Sequence, residues 1–286
     1  MLSHLFHLAG TASPVRHTPF VSLKDWSFRC RWICIVVIGM VAPVVNALEP
    51  PIPRSALKLG SEFAKPEIRA MQADEFANPG MLWVTRGERL WSEPAAGGKS
   101  CAGCHADAAV SMKGVATRYP RLDTGAARVV NLSGRINLCR ERNQAAQPLE
   151  QESQDLLALT AYVTYQSRGM PMNVTIDGHN AGDFERGRER FYRRMGQMNL
   201  ACAHCHDQNW GRTLLNDTIS QGHGTGWPGY RLEWQTFGSL QRRLRACYSG
   251  LRAEMPPYDA RELVELELFL AWRANGLPIE SPGVRR

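Results

Sequence analysis

Two five-residue stretches decide the fold of this chain: Cys101-Ala-Gly-Cys104-His105 and Cys202-Ala-His-Cys205-His206. In each stretch two cysteines stand three positions apart, and a histidine directly follows the second cysteine. On one turn of helix this spacing presents two thiols to the vinyl groups of a single porphyrin and points the histidine at the iron from the same side. A thioredoxin-like redox pair or a zinc site also uses paired cysteines, but neither needs a histidine directly after both pairs.

The two motifs therefore predict two covalently bound c-type haems. The predicted thioether cysteines are Cys101 and Cys104 for the first haem, and Cys202 and Cys205 for the second. The predicted proximal iron ligands are His105 and His206.

The halves of the chain that carry these motifs resemble each other. Gly87-Glu-Arg-Leu-Trp91 precedes the first motif, and Gly187-Arg-Glu-Arg-Phe191 precedes the second. After each motif comes an arginine four residues before a cysteine, and then an amphipathic segment, at residues 155–165 and again at 262–272. Similar features repeated in the same order indicate an internal repeat.

The sequence thus predicts a mainly α protein with two tandem cytochrome-c-like domains. Their predicted boundaries are 78–175 and 176–286, with the turn-forming Asp177-Gly-His-Asn180 at the junction. Residues 48–77 are rich in proline near their start and predict an N-terminal arm that lies over the domains.

Residues 33–45 form one apolar run that follows Arg29 and Arg31 and closes near Ala47. The run is short for a membrane span, so residues 1–47 are predicted to be a signal peptide; an uncleaved anchor is the alternative. The predicted location is the periplasm, with no membrane span after cleavage. This location fits the cofactor, because bacteria attach c-type haem outside the cytoplasm.

The composition excludes one class of protein and gives no indication of a nucleic-acid partner. A hydrophobic content of 44% excludes a disordered chain. The formal net charge of +7 includes basic residues of the leader, and four haem propionates would offset much of the rest. The basic composition therefore does not indicate a nucleic-acid partner.

Cys139 and Cys247 remain after the thioether cysteines are assigned. They could join the two domains in a disulfide, or each could give a thiolate ligand to one iron. Equivalent positions in separate domains do not readily meet, which favours ligation. Met255, in a Met-Pro-Pro-Tyr element, is the competing ligand for the second iron.

At these residues the chain resembles the A subunit of the SoxAX cytochrome complex of sulfur-oxidising bacteria. The resemblance covers nearly all of the chain after the leader. The strings that carry it are Met71–Trp83, Gly98–Cys101, Ser111–Gly114, Asn137–Arg140, Gln166–Gly169 and the arginine and cysteine of Arg243-x3-Cys247.

The resemblance implies an L-cysteine S-thiosulfotransferase. Such an enzyme couples thiosulfate oxidatively to a cysteine of the SoxYZ carrier protein, forms a cysteine S-thiosulfonate, and passes two electrons to a c-type cytochrome. It also implies His/Cys ligation of both irons, through Cys139 and Cys247, and a small monohaem cytochrome, SoxX, as partner. Cys247, often found as a persulfide, and Arg243 would be the active-site residues.

The residues near Cys247 are compatible with this chemistry. Arg242, Arg243, Arg245 and Arg252 flank it in sequence. A guanidinium can bind a sulfonate-type oxygen pair in a fork, and positive charge lowers a thiol pKa. A solvated helix face, or partners for the haem propionates, would also explain these arginines.

Two other functions stay open on these residues. A dihaem electron carrier without chemistry of its own would use Met255 as a ligand. A dihaem peroxidase needs an open iron position and leaves two cysteines without a role. Because thiolate ligation lowers the reduction potential, the haem at Cys139, far from the arginines in sequence, is predicted to be structural or secondary.

Overall fold

Helices joined by loops make up most of the structure, a computed structural model that describes residues 52–286. The predicted signal peptide at residues 1–47 lies outside the described residues. The α-helices are α1 (Pro66–Ala73), α2 (Met81–Ser92), α3 (Cys101–His105), α4 (Ala108–Ser111), α5 (Leu132–Gln144), α6 (Gln154–Tyr165), α7 (Ala181–Tyr192), α8 (Cys202–His206), α9 (Leu240–Gly250) and α10 (Arg261–Arg273). Single 3-10 turns occur at Arg54–Ala56, Gly60–Phe63 and Ala116–Arg118.

The strands are short, with two or three residues each, and lie in the segments that connect the helices. They are β1 (Arg121–Asp123), β2 (Arg128–Val130), β3 (Thr213–Leu214), β4 (Asp217–Thr218), β5 (Gly229–Arg231), β6 (Thr236–Gly238) and β7 (Gly283–Arg285). Strands β1 and β2 form an antiparallel pair, as do β3 and β4. Strand β5 lies between β6, which is antiparallel to it, and β7, which is parallel. The mainly α class predicted from the sequence is confirmed.

Two crossed helix pairs form the core. Helix α2 packs on α6, and α7 packs on α10. The crossings are close because glycine stands at each: a Cβ on Gly87 would lie 2.1 Å from the Ala158 carbonyl oxygen, and one on Gly187 would lie 2.0 Å from that of Glu265. In each pair, the helix before a haem motif (α2 or α7) thereby packs against the last helix of the same half (α6 or α10).

Side-chain caps fix where the helices that follow the loops begin. The Ser100 hydroxyl accepts a hydrogen bond from the Gly103 N–H at the start of α3. Asn131 caps α5 in the same way. Such caps satisfy backbone donors that the first helical turn leaves free. The first CxxCH segment and the helix that carries Cys139 therefore start at defined residues.

Side chains and backbone between residues 58 and 78 contact the second half of the chain. The Lys58 N–H donates to Gln221 Oε1 at 2.8 Å, and Gln72 Nε2 donates to Glu280 Oε1 at 3.2 Å. Asn78 Nδ2 donates to the carbonyl of Pro282 at 2.9 Å. Within residues 52–286, no helix has both the length and the apolar character needed to cross a bilayer.

Candidate active site

The second haem motif forms the short helix α8, and the imidazole of its last residue, His206, contacts the backbone of a loop that follows later in the chain. His206 Nδ1 lies 2.8 Å from the carbonyl oxygen of Ser220. A carbonyl oxygen can only accept, so Nδ1 carries the proton and Nε2 keeps its lone pair. This is the form in which an imidazole ligates a metal, with its other nitrogen hydrogen-bonded to a second group.

Cys247 faces His206 from helix α9. Burial alone would raise the pKa of its thiol, but the charge of Arg243, followed by the influence of His206 and the charge of Arg231, outweighs burial and lowers the pKa to about 7. By contrast, burial and the charge of Cys247 raise the pKa of the Cys202 thiol to about 12. Cys247 is therefore the cysteine of this cluster that most readily becomes a thiolate.

The cysteines are not used in disulfides. All six in the described part of the chain, Cys139 and Cys247 among them, are free. The disulfide between the two halves, which the sequence left open, does not form. Met255, the competing ligand, has 46% of its surface exposed to solvent. That exposure favours Cys247 over Met255 as the group facing His206.

The arginines predicted around Cys247 separate in the structure. Arg243 lies one turn before Cys247 on the same face of α9. The guanidinium of Arg242 stacks at 4.4 Å from the centre of the Trp234 ring. That of Arg245 stacks at 4.4 Å from the Tyr258 ring. Arg242 and Arg245 thus bind aromatic faces, and Arg243 is the one whose charge acts on the thiol.

Sequence reasoning missed Arg231, at the end of β5. Its charge acts on Cys247, and burial together with the nearby Arg243 lowers the pKa of its own guanidinium. Arg231 is too far from Cys247 along the chain for a local motif to indicate it. The only signal was the repeat, which aligns Arg231 with Asp123 in the first half.

The first half neutralises the corresponding arginine. Arg135, four residues before Cys139, places Nη1 2.9 Å from Asp123 Oδ2, and Arg142 Nη1 lies 2.9 Å from the other carboxylate oxygen. The Asp123 side chain is only 8% exposed. Arg243 has no ion pair with any carboxylate of residues 52–286. A cationic thiol site is therefore built in the second half and not in the first.

The first motif nevertheless lies beside Cys139. The charge of Cys139 is among the influences that raise the pKa of the Cys101 thiol, after burial. Gln144 Nε2 donates to Cys101 Sγ at 3.6 Å, and Asn143 Nδ2 donates to Cys139 Sγ at 3.5 Å. Helix α5 therefore brings Cys139 to the first CxxCH segment, as α9 brings Cys247 to the second.

The nitrogen of His206 and the sulfur of Cys247 fit the iron of a haem better than a metal ion held by protein side chains alone. No group of three or more His, Cys, Asp or Glu side chains within residues 52–286 could hold a metal ion. A haem brings its own nitrogen ligands and would need only two donors from the protein, which His206 and Cys247 would supply. A cavity of about 350 Å³ is lined by Ser220, Arg231 and Arg243 among others, so cationic groups line a space next to residues that contact His206 and act on Cys247.

The chain is similar to known proteins over most of its length. A family model described as SoxA/TsdA, cytochrome c domain, matches residues 86–172. The "L-cysteine S-thiosulfotransferase subunit SoxA" of Pseudaminobacter salicylatoxidans is 42% identical over 78% of this chain and 79% of that protein. The chain belongs to the SoxA family. The SoxA of Rhodovulum sulfidophilum is 35% identical over 80% of each chain.

A solved structure agrees with the SoxA assignment. The "Crystal structure of SoxXA from P. pantotrophus" matches with a TM-score of 0.77 and 33% identity, covering 80% of this chain and 87% of that one. As a SoxA protein with a cytochrome c domain, the chain binds haem c covalently. The family model ends at residue 172, before the second haem motif, and the SoxA relatives and the solved structure extend the similarity beyond it.

Proposed function

We propose that this SoxA protein catalyses the oxidative coupling of thiosulfate to a cysteine of the SoxYZ carrier. The carrier thiol and thiosulfate form a new S–S bond, giving a cysteine S-thiosulfonate and releasing one proton and two electrons. The electrons pass to a c-type cytochrome. The observation that carries the proposal is the placement of Cys247, which lies opposite His206 of the second CxxCH segment and one turn after Arg243, an arginine without a carboxylate partner within residues 52–286.

The arginines suit thiosulfate, which is a dianion. A guanidinium binds two sulfonate-type oxygens in a bidentate fork, and the charge of Arg243 is supplemented by that of Arg231, which is shared with Glu233. Held in this way by Arg243 and Arg231, the terminal sulfur would face Cys247. The Cys247 thiolate is the nucleophile that takes part in sulfur exchange, since thiolates and not thiols attack sulfur.

The cofactor proposal is two haems with His/Cys ligation. Cys101 and Cys104 would hold one haem, with His105 and Cys139 as its iron ligands. Cys202 and Cys205 would hold the other, with His206 and Cys247. When bound, the haem at His206 supplies an acceptor for single electrons. We assign the haem at Cys139 a structural or secondary role, because its arginines are already paired with Asp123.

We also propose that the two halves are tandem cytochrome-c-like domains, at 78–175 and 176–286, preceded by an arm at 48–77. The order of elements supports this division. Helices α2, α3, α5 and α6 with the pair β1–β2 have counterparts in α7, α8, α9 and α10 with the pair β5–β6. Residues with left-handed φ angles also recur, at Glu152 and Asp259 just before the two closing helices.

The proposed partner is a SoxX-type monohaem cytochrome, in a heterodimer. The similar solved structure contains SoxX with SoxA, which supports this partner. The proposed location is the periplasm, reached through the signal peptide at residues 1–47. SoxYZ would bring the carrier cysteine to the side of α9 that presents Cys247.

Two matched variants test the proposed function, Cys247→Ser and Cys139→Ser. Each removes one thiol from an equivalent position, and haem attachment to each is counted by intact mass. We expect Cys247→Ser to abolish formation of the carrier S-thiosulfonate, measured by mass spectrometry of SoxYZ, with both haems retained. Cys139→Ser should retain most of the activity. Full coupling by a two-haem Cys247→Ser protein would refute the proposal.

A further inference from the structure

Arg273, at the end of α10, is a buried charge that the proposed reaction does not use. Its side chain is 1% exposed, and Nη2 lies 2.7 Å from Asp207 Oδ1. The guanidinium carbon lies 4.4 Å from the centre of the Phe191 ring. Removing a charge from water costs several kcal/mol of free energy even when the charge is paired, so burial of this arginine is less favourable than burial of an apolar side chain at the same place. The contacts of Arg273 indicate what it does there.

The two polar partners of Arg273, one in an ion pair and one in a hydrogen bond, adjoin the environment of His206. Asp207 directly follows His206 in the chain. The other partner, which accepts a hydrogen bond from Nη2 at 3.2 Å, is the carbonyl of Gln221, which directly follows Ser220. Ser220 supplies the carbonyl oxygen 2.8 Å from His206 Nδ1. One guanidinium therefore joins the two segments whose separation sets the hydrogen bond on the imidazole.

The packing behind His206 leaves little freedom for these segments. A Cβ on Gly222 would lie 2.9 Å from His206 Cγ, so the loop backbone lies directly against the ring. Gln221 is fixed from its other side, because its Nε2 donates to the carbonyl of Ala56 at 2.8 Å. Arg273 links this loop to Asp207 at the end of α8 through a single side chain.

The first half lacks the corresponding clamp. Ala106 follows His105, where Asp207 follows His206. Gln166 stands at the end of α6, and its amide donates to the Tyr162 carbonyl of its own helix at 3.0 Å. The clamp thus accompanies the half in which the charges of Arg243 and Arg231 act on the cysteine.

We propose that Arg273 is a positioning residue of the second haem site: by clamping Asp207 and Gln221 it holds His206 Nδ1–H on the Ser220 carbonyl. The inference rests on the proposed role of His206 as an iron ligand. A hydrogen bond from Nδ1–H to an acceptor makes the imidazole a stronger electron donor to the iron through Nε2. A stronger donor stabilises ferric iron, so the clamp contributes to a low reduction potential.

The test uses a double variant, Asp207→Ala with Arg273→Gln, which installs the uncharged pair of the first half. Removing both partners avoids leaving one buried charge unpaired. Both haems should remain attached by intact mass, and the midpoint potential of the second haem should rise while that of the first stays the same. Arg273→Lys, which keeps a charge near Asp207 but loses the planar fork, should shift the potential in the same direction. Gln166→Ala is the matched control, with both potentials unchanged.

Three results would overturn the inference. One is an unchanged second potential in the double variant. Another is a wild-type potential in Arg273→Lys, which would mean that charge alone suffices. The third is loss of the second haem from the double variant, which would make Arg273 a folding residue. A failure of the proposed function would give a different result from a failure of this inference. In that case the wild-type protein itself would carry one haem, or its iron would lack His206 as a ligand, before any variant is made.

Discussion

The buried carboxyl group of Glu267 gives a prediction whose size follows from the structure. Glu267, on α10, is 5% exposed and lies at a cavity between the two halves. Its Oε2 accepts a hydrogen bond from Asn131 Nδ2 at 2.8 Å. Burial, aided by the negative charges of Asp259 and Glu152, raises its pKa to about 8, although Asn131 and Gln241 oppose the shift.

A raised carboxyl pKa makes the folded protein lose stability as pH rises. The pKa of Glu267 rises from an ordinary 4.5 to about 8, so between these values the folded state holds a proton that the unfolded state releases. Stability from this group is therefore complete below about pH 4.5, and it falls by about 1.4 kcal/mol per pH unit until about pH 8. The total is on the order of 5 kcal/mol as an upper value.

The perturbation is Glu267→Gln, which keeps an oxygen acceptor for Asn131 but cannot ionise. We expect the stability of the variant relative to wild type to increase by about 3 kcal/mol between pH 5 and pH 7.5. The assay is urea unfolding of the haem-loaded proteins at several pH values, compared as a difference between the two. Parallel curves across this pH range would refute the reasoning, because they would mean that Glu267 is already ionised in the folded protein.

Three further predictions concern the helix crossing and the arginines. Gly187→Ala places a Cβ 2.0 Å from the Glu265 carbonyl oxygen and should destabilise the protein by about 1–3 kcal/mol in urea unfolding; an unchanged midpoint would contradict this. Arg243→Gln should slow thiosulfate coupling at least ~10-fold, whereas the matched Arg135→Gln should hardly change the rate, and equal effects would argue against an anion site in the second half alone. Arg231→Asp, which copies the acid of the first half, should raise the KM for thiosulfate in steady-state assays; an unchanged KM would remove Arg231 from the site.

The local features of the fold could be predicted from the sequence. Residues 155–165 and 262–272 were predicted as amphipathic helices, and they lie within α6 (Gln154–Tyr165) and α10 (Arg261–Arg273). Both CxxCH motifs begin short helices. These features depend on residue spacing over a few turns, which a single sequence displays directly.

The electrostatics of the candidate site could not be predicted in this way. The two Arg-x3-Cys segments look alike in sequence, yet Arg135 is paired with Asp123 and Arg243 has Arg231 for a neighbour. Both neighbours come from strands outside the motif, so the difference arises only when β1 and β5 are in place. The aromatic partners of Arg242 and Arg245 were missed for the same reason, because they reach the helix through the tertiary fold.

The most direct test of the account is low-temperature electron paramagnetic resonance of the oxidised protein, recorded for wild type and for Cys247→Ala. The account predicts two low-spin ferric signals in the wild type, each with the narrow spread of g values that thiolate ligation produces. It also predicts that Cys247→Ala loses one of them and keeps the other. A variant that keeps both signals unchanged would contradict it, because Cys247 would then not be bound to iron.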